Sequence, residues 1–176
     1  MAISMEAVRE LRERTGAGIL ECKNALQGAE GDVNKALLIL KEQGKKIGVK
    51  VGTREVREGR IETYVHTGNR GGAMVELNCE TDFVGRNEAF IQLAKDVALH
   101  VYAAKPKYLR REDVPAEALE APDVTSPEQY YEDYVLLDQP FVRNPSQTIS
   151  QMLTETIAKT RENIVIGRYV RFEIGA

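Results

Sequence analysis

Met5, Val8 and Leu11 place apolar residues at three-residue steps, one face of a short helix over Met5 to Arg14, which Thr15-Gly16-Ala17-Gly18 then breaks. A second helix fits Ile19 to Gly28, with Ile19, Cys22 or Lys23, and Leu26 at helical spacing. Asp32 is placed to cap a third, in which Ala36, Leu37 and Leu40 share a face and Gly44 ends the run. Beyond it the period changes. Ile61, Thr63 and Val65 alternate with Glu62, Tyr64 and His66, and after a turn at Thr67 to Gly72 the residues Ala73, Val75, Leu77 and Cys79 alternate again, so a β-hairpin is expected. Glu80 to Gly85 then leads into a helix with the face Phe90, Leu93, Ala94, Val97, Ala98 and Val101, capped by Asn87.

The segment from Lys105 to Gln129 holds Pro106, Pro115, Pro122 and Pro127, and is expected to be loop with a short helix near Ala116 to Glu120. An extended piece at Val135 to Val142, a helix over Pro145 to Lys159 and a last strand over Ile164 to Ile174 complete the chain. In that strand Ile164, Ile166, Val170, Phe172 and Ile174 alternate with mostly polar neighbours, and Arg168 interrupts the set. The expected fold class is α+β: an N-terminal three-helix module followed by an antiparallel sheet core flanked by helices. The expected boundaries are 1–45 for the module, 46–58 for a charged connector broken by Gly48 and Gly52, and 59–176 for the core, with a loop-rich segment at 105–133.

Composition narrows the function by exclusion. The longest apolar run, Ala36 to Leu40, is far short of the roughly 20 residues a bilayer needs, and no basic-then-apolar secretory signal stands at the start, so a cytoplasmic protein without membrane contact is expected. The first 57 residues carry 11 Lys+Arg against 8 acids and the rest 13 against 19, too little positive charge to point to direct nucleic-acid binding. Cys22 and Cys79 are expected to be buried thiols, and no metal-ligand spacing surrounds them. His66 and His100 have no neighbouring nucleophile, and Gly68 to Gly72 lies between strands without the Lys-Ser/Thr of a phosphate loop. No catalytic residue, metal or cofactor is therefore expected, and a binding role is favoured.

Two exposed signals remain. The corner formed by Leu11 and Thr15-Gly16-Ala17-Gly18 is a candidate recognition surface, although its glycines would also serve simply to let two helices turn. Asp82-Phe83 stands at a strand-to-helix junction. Pattern alone leaves Phe83 open between closing the core under the hairpin and filling a partner's pocket, and leans to the core.

Specific motifs go further. Leu11-Arg12-Glu13-Arg14-Thr15-Gly16-Ala17-Gly18 with Cys22-Lys23-Asn24-Ala25-Leu26, then Val75-Glu76-Leu77-Asn78-Cys79-Glu80-Thr81-Asp82-Phe83-Val84 followed by Asn87, closely resemble elongation factor Ts. The resemblance extends to Gln139-Pro140-Phe141-Val142 and to Arg171-Phe172-Glu173-Ile174-Gly175. It implies a ubiquitin-associated-like helical module, and a translation elongation factor that exchanges guanine nucleotide on elongation factor Tu, in its GDP-bound and nucleotide-free states. It assigns partner binding to Leu11, Thr15, Gly16, Ala17, Gly18 and Lys23, and a magnesium-displacing turn to Thr81, Asp82, Phe83 and Val84. Phe83 is then expected to be exposed. An adaptor of the ubiquitin-associated kind without exchange activity is the alternative. The chain departs from the family's short forms in lacking a helical insert between Ala121 and Asp133, and its single core unit raises the expectation of a homodimer.

Overall fold

The computed structural model describes residues 3–122 and 124–175, so Met1, Ala2, Asp123 and Ala176 lie outside the described residues. The chain divides into two compact units: one holds the chain up to Arg54 with Thr154–Asn163, the other Glu55–Leu153 and the chain from Ile164 on.

In the first unit, helices α1 (Met5–Thr15), α2 (Ile19–Gly28) and α3 (Val33–Val51) start at side-chain or backbone caps. Ser4 accepts from the Ala7 amide of α1, and Asp32 accepts from the Asn34 and Lys35 amides of α3, bonds that hold the Asp32 carboxyl below its ordinary pKa. Val8, Leu11, Cys22, Ala25, Leu26, Ala29 and Ala36 form the core of this unit. Helix α3 does not stop at Gly44. It continues to Val51 through the stretch expected to be a connector, because Gly44 is buried in close approach to Ala158, where a Cβ would lie 3.1 Å from the alanine methyl. A glycine at such a point lets helices come together rather than ending one. Ile19, expected on the inward face of α2, is 53% exposed, as is its neighbour Leu20 at 69%.

The second unit is built on strands β1 (Glu58–Val65) and β2 (Gly71–Cys79), the short helix α4 (Asp82–Gly85), and helix α5 (Glu88–Ala104). A 3-10 turn at Arg111–Asp113, α6 (Ala116–Leu119) and α7 (Pro127–Tyr134) follow. Then come the two-stranded ladder β3 (Pro140–Phe141) and β4 (Asn144–Thr148), helix α8 (Ile149–Thr160) and strand β5 (Ile164–Glu173). The main sheet is antiparallel in the order β1-β2-β5. Its inner face, with Ala73, Val75, Leu77, Cys79, Ile164 and Ile166 all buried, packs with Phe90, Leu93, Ala94, Val97, Ala98 and Val101 of α5. The chain is thus α+β with an antiparallel sheet and flanking helices.

Three local differences from the sequence expectation have physical causes. Helix α7 lies in the stretch expected to be loop, where Ser126 caps it by accepting from the Gln129 amide and Pro127 opens it. The helix expected from Pro145 begins at Ile149, because residues 144–148 pair with β3. In β5 the pairing steps from Arg168 opposite Glu76 to Ile166 opposite Leu77, leaving Gly167 as an extra residue. This bulge reverses the faces. Ile164 and Ile166 point into the core, whereas Val170, Phe172 and Ile174 are 41%, 71% and 63% exposed. With Ile61, Val65 and Met74 of β1 and β2, they make the outer face of the sheet an uncovered apolar surface among the described residues.

A buried hydrogen-bonded set ties α5 to the residues on either side of β3. The Val142 amide donates to His100 Nδ1 at 3.3 Å, and His100 Nε2 lies 3.0 Å from Gln139 Oε1. Gln139 Nε2 in turn donates to the Asp133 carbonyl at 2.8 Å. With Nδ1 accepting from the Val142 amide, the ring's proton belongs on Nε2 facing the Gln139 oxygen, and burial pushes the His100 pKa down with the Gln139 bond partly opposing.

Candidate functional site

The turn between β2 and α5 gives each of its residues a different environment. Thr81 is extended, with φ −128° and ψ 156°, and its Oγ1 accepts the Val84 amide at 3.4 Å, which starts α4. Its carbonyl receives two donors, the Gly85 amide at 3.2 Å and the Cys79 thiol at 3.1 Å. Val84 is buried at 9% exposure and Gly85 is buried beside it. Asn87 follows and caps α5 through the Ala89 amide at 2.9 Å. The turn is fixed at both ends and from below.

Gly59 supplies part of that floor. It sits at φ +152° with the Leu77 carbonyl 2.2 Å from where a Cβ would be, so no other residue fits there, and its own carbonyl faces Gly85. On this support Phe83 points outward, 82% exposed, between a buried Val84 and a half-exposed Asp82. Asp82 pairs with Arg86 one helical turn on, at 2.9 Å. An aromatic ring left in water at a rigid point lowers the ordering cost of inserting it into a pocket.

The corner of the helical unit is equally defined. Thr15 Oγ1 donates to the Leu11 carbonyl at 2.6 Å and accepts the Ala17 amide at 3.2 Å. Gly16 ends α1 in the left-handed conformation, φ +68°, with its amide on the Arg12 carbonyl at 2.7 Å. The Gly18 amide donates to Glu21 Oε2 at 3.1 Å, and Glu21 is ion-paired with Arg161. Thr15 and Ala17 are half-buried, Gly16, Gly18 and Lys23 exposed, and Leu11 fully buried beneath them. The exposed Ile19 and Leu20 stand directly after this corner, and helical spacing gave no sign of them because it placed Ile19 inward. The corner and the Phe83 turn belong to different units.

Among the described residues no group of three or more His, Cys, Asp or Glu is placed to hold a metal ion, and no helix is long and apolar enough to cross a membrane.

Comparison with known proteins identifies the class. The family model described as "Elongation factor TS" matches residues 20–125, which include α2 from Leu20 on and the whole Phe83 turn. Elongation factor Ts of Herpetosiphon aurantiacus is 47% identical over 197 positions, covering 100% of each chain, and that of Thermodesulfovibrio yellowstonii is 45% identical over 195, covering 99% of this chain and 98% of the relative. Elongation factor Ts of Heliobacterium modesticaldum is 44% identical over 98% of this chain and 90% of its own. The chain is a translation elongation factor. It belongs to the elongation factor Ts family. The 197-position alignment against a chain of 176 residues means that the Herpetosiphon relative carries residues this chain lacks.

Proposed function

We propose that this chain is a guanine-nucleotide exchange factor for elongation factor Tu, acting in the cytoplasm by binding alone and without covalent chemistry. The observation that carries this reading is the exposure of Phe83 on a turn held by Thr81, Cys79 and Val84. In a GTPase, Mg²⁺ bridges the nucleotide phosphates to the protein through oxygen ligands. An aromatic wedge that shifts those ligands removes part of the nucleotide's affinity. Nanomolar binding corresponds to about −12 kcal/mol, and each roughly 1.4 kcal/mol taken from it speeds release about tenfold when it falls on the off-rate. Thr81, Asp82, Phe83 and Val84 form the magnesium-displacing turn in this reading, with Val84 as its anchor.

The ubiquitin-associated-like module built on α1, α2 and α3 docks on the same partner through Thr15, Gly16, Ala17, Gly18 and Lys23, with Leu11 holding the corner from beneath. Exposed Ile19 and Leu20 extend this surface and give it the apolar centre that a specific interface requires. Self-association is the second partner relation: the outer sheet face of Ile61, Val65, Met74, Val170, Phe172 and Ile174 is an apolar surface that a second copy of the same face would cover.

Linkage supplies the test of exchange against simple adaptor binding. A factor that weakens GDP binding must be weakened by GDP to the same degree. Titrating the chain against elongation factor Tu by calorimetry should give an affinity for the nucleotide-free form at least tenfold above that for the GDP form. Equal affinities would establish the adaptor and remove the exchange reading.

A further inference from the structure

Arg86 lies one helical turn beyond Asp82 and three residues beyond the exposed Phe83, and its side chain is 81% exposed. Its guanidinium meets the Asp82 carboxylate at 2.9 Å. Ion pairs in water contribute little to a fold, and this turn has other supports: the Thr81 cap, the Cys79 thiol and the buried Val84. Asp82 and Arg86 therefore bring a negative and a positive group to the place where Phe83 meets its partner, at little cost to release from one another.

We propose that Arg86 is a further partner-contact residue of nucleotide exchange, whose guanidinium leaves Asp82 on docking and pairs with the GTPase carboxylate from which Mg²⁺ is displaced. The inference rests on the exchange reading above. A magnesium site in a GTPase is a group of oxygen ligands, among them an aspartate, held together by two positive charges. Once the ion has gone, that carboxylate is left against phosphate oxygens, and the arriving Asp82 adds another negative group nearby. A guanidinium is always protonated and offers paired donors in the geometry a carboxylate accepts. Phosphate oxygens would suit it too, but a grip on phosphate would hold GDP in place. A bond to the protein carboxylate persists after GDP has left and so favours the nucleotide-free complex.

The test is a double-mutant cycle on the rate of fluorescent GDP release in millimolar Mg²⁺ and on affinity for nucleotide-free GTPase. Wild type, Phe83→Ala, Arg86→Ala and Arg86→Lys are each measured against wild-type GTPase and against GTPase whose Mg²⁺-ligating aspartate is replaced by asparagine. With wild-type GTPase, Arg86→Ala should lose about tenfold in both quantities and Arg86→Lys should recover part of it. With the asparagine GTPase, Arg86→Ala should differ from wild type by less than about twofold. An equal loss on both GTPases, or none on either, overturns the role of Arg86 while leaving exchange intact if Phe83→Ala is still impaired. Failure of wild type to accelerate release overturns both.

Discussion

Replacing Phe83 by alanine removes a large apolar side chain, and the structure states how little of the fold should notice. A buried aromatic covers roughly 150–250 Å². At 82% exposure Phe83 hides about a fifth of its surface, on the order of 40 Å², which at about 25 cal/mol/Å² amounts to no more than about 1 kcal/mol. For a chain of this length that corresponds to a fall in Tm of about 2–4 °C at most. Phe90, with 0% exposure, is the internal control: its truncation to alanine should cost about 3–5 kcal/mol and on the order of 10 °C. Differential scanning calorimetry of the two variants beside wild type makes the comparison. A Phe83→Ala loss approaching that of Phe90→Ala would mean that Phe83 packs in the core, and the argument that it is held ready for a partner would fail.

Gly59→Ala should be far more damaging than its exposed position suggests, by several kcal/mol in urea unfolding, because the new Cβ would meet the Leu77 carbonyl at 2.2 Å on a backbone with φ +152°; a change within about 0.5 kcal/mol would contradict the packing of β1 on β2. The depressed His100 pKa makes the unfolded chain bind the additional proton, so stability should fall as the pH drops below about 6.5 toward the folded value and be unaffected above it. Glu76 and Glu173, lowered by their arginine partners, act only in the carboxylate range further down. Urea midpoints for wild type and His100→Asn between neutral and mildly acid pH should converge on acidification; parallel curves would refute this. Phe172→Glu should shift light scattering of concentrated protein from about twice the 19.7 kDa chain mass to the monomer without lowering Tm appreciably; an unchanged mass would show that the outer sheet face does not join two copies.

The regular elements were legible where periodicity and capping agree. The face of α5, the Asp32 and Asn87 caps and the β1–β2 hairpin follow from residue spacing alone. Helix α7 has a local start signal in Ser126-Pro127-Glu128, masked by the density of prolines around it. The bulge at Gly167 was hidden because its cause is pairing across the sheet, although Arg168 interrupting an apolar alternation was its trace. The extent of α3 depends on Ala158, more than 100 residues away in sequence, and no local pattern carries that information. At the site, the motif marked Thr81 to Val84, but local pattern leaned toward placing Phe83 inside. Its exposure follows from Val84, Cys79 and Gly85 already filling the space below, which is a matter of volume rather than of sequence period.

Release of fluorescent GDP from elongation factor Tu, followed by stopped flow with wild type and with Phe83→Ala at equal concentration, bears most directly on the account. It predicts strong acceleration by wild type and at least tenfold less by the variant, with the fold intact in both. Acceleration that survives the loss of Phe83 would contradict the wedge, and complex formation without any acceleration would contradict exchange itself.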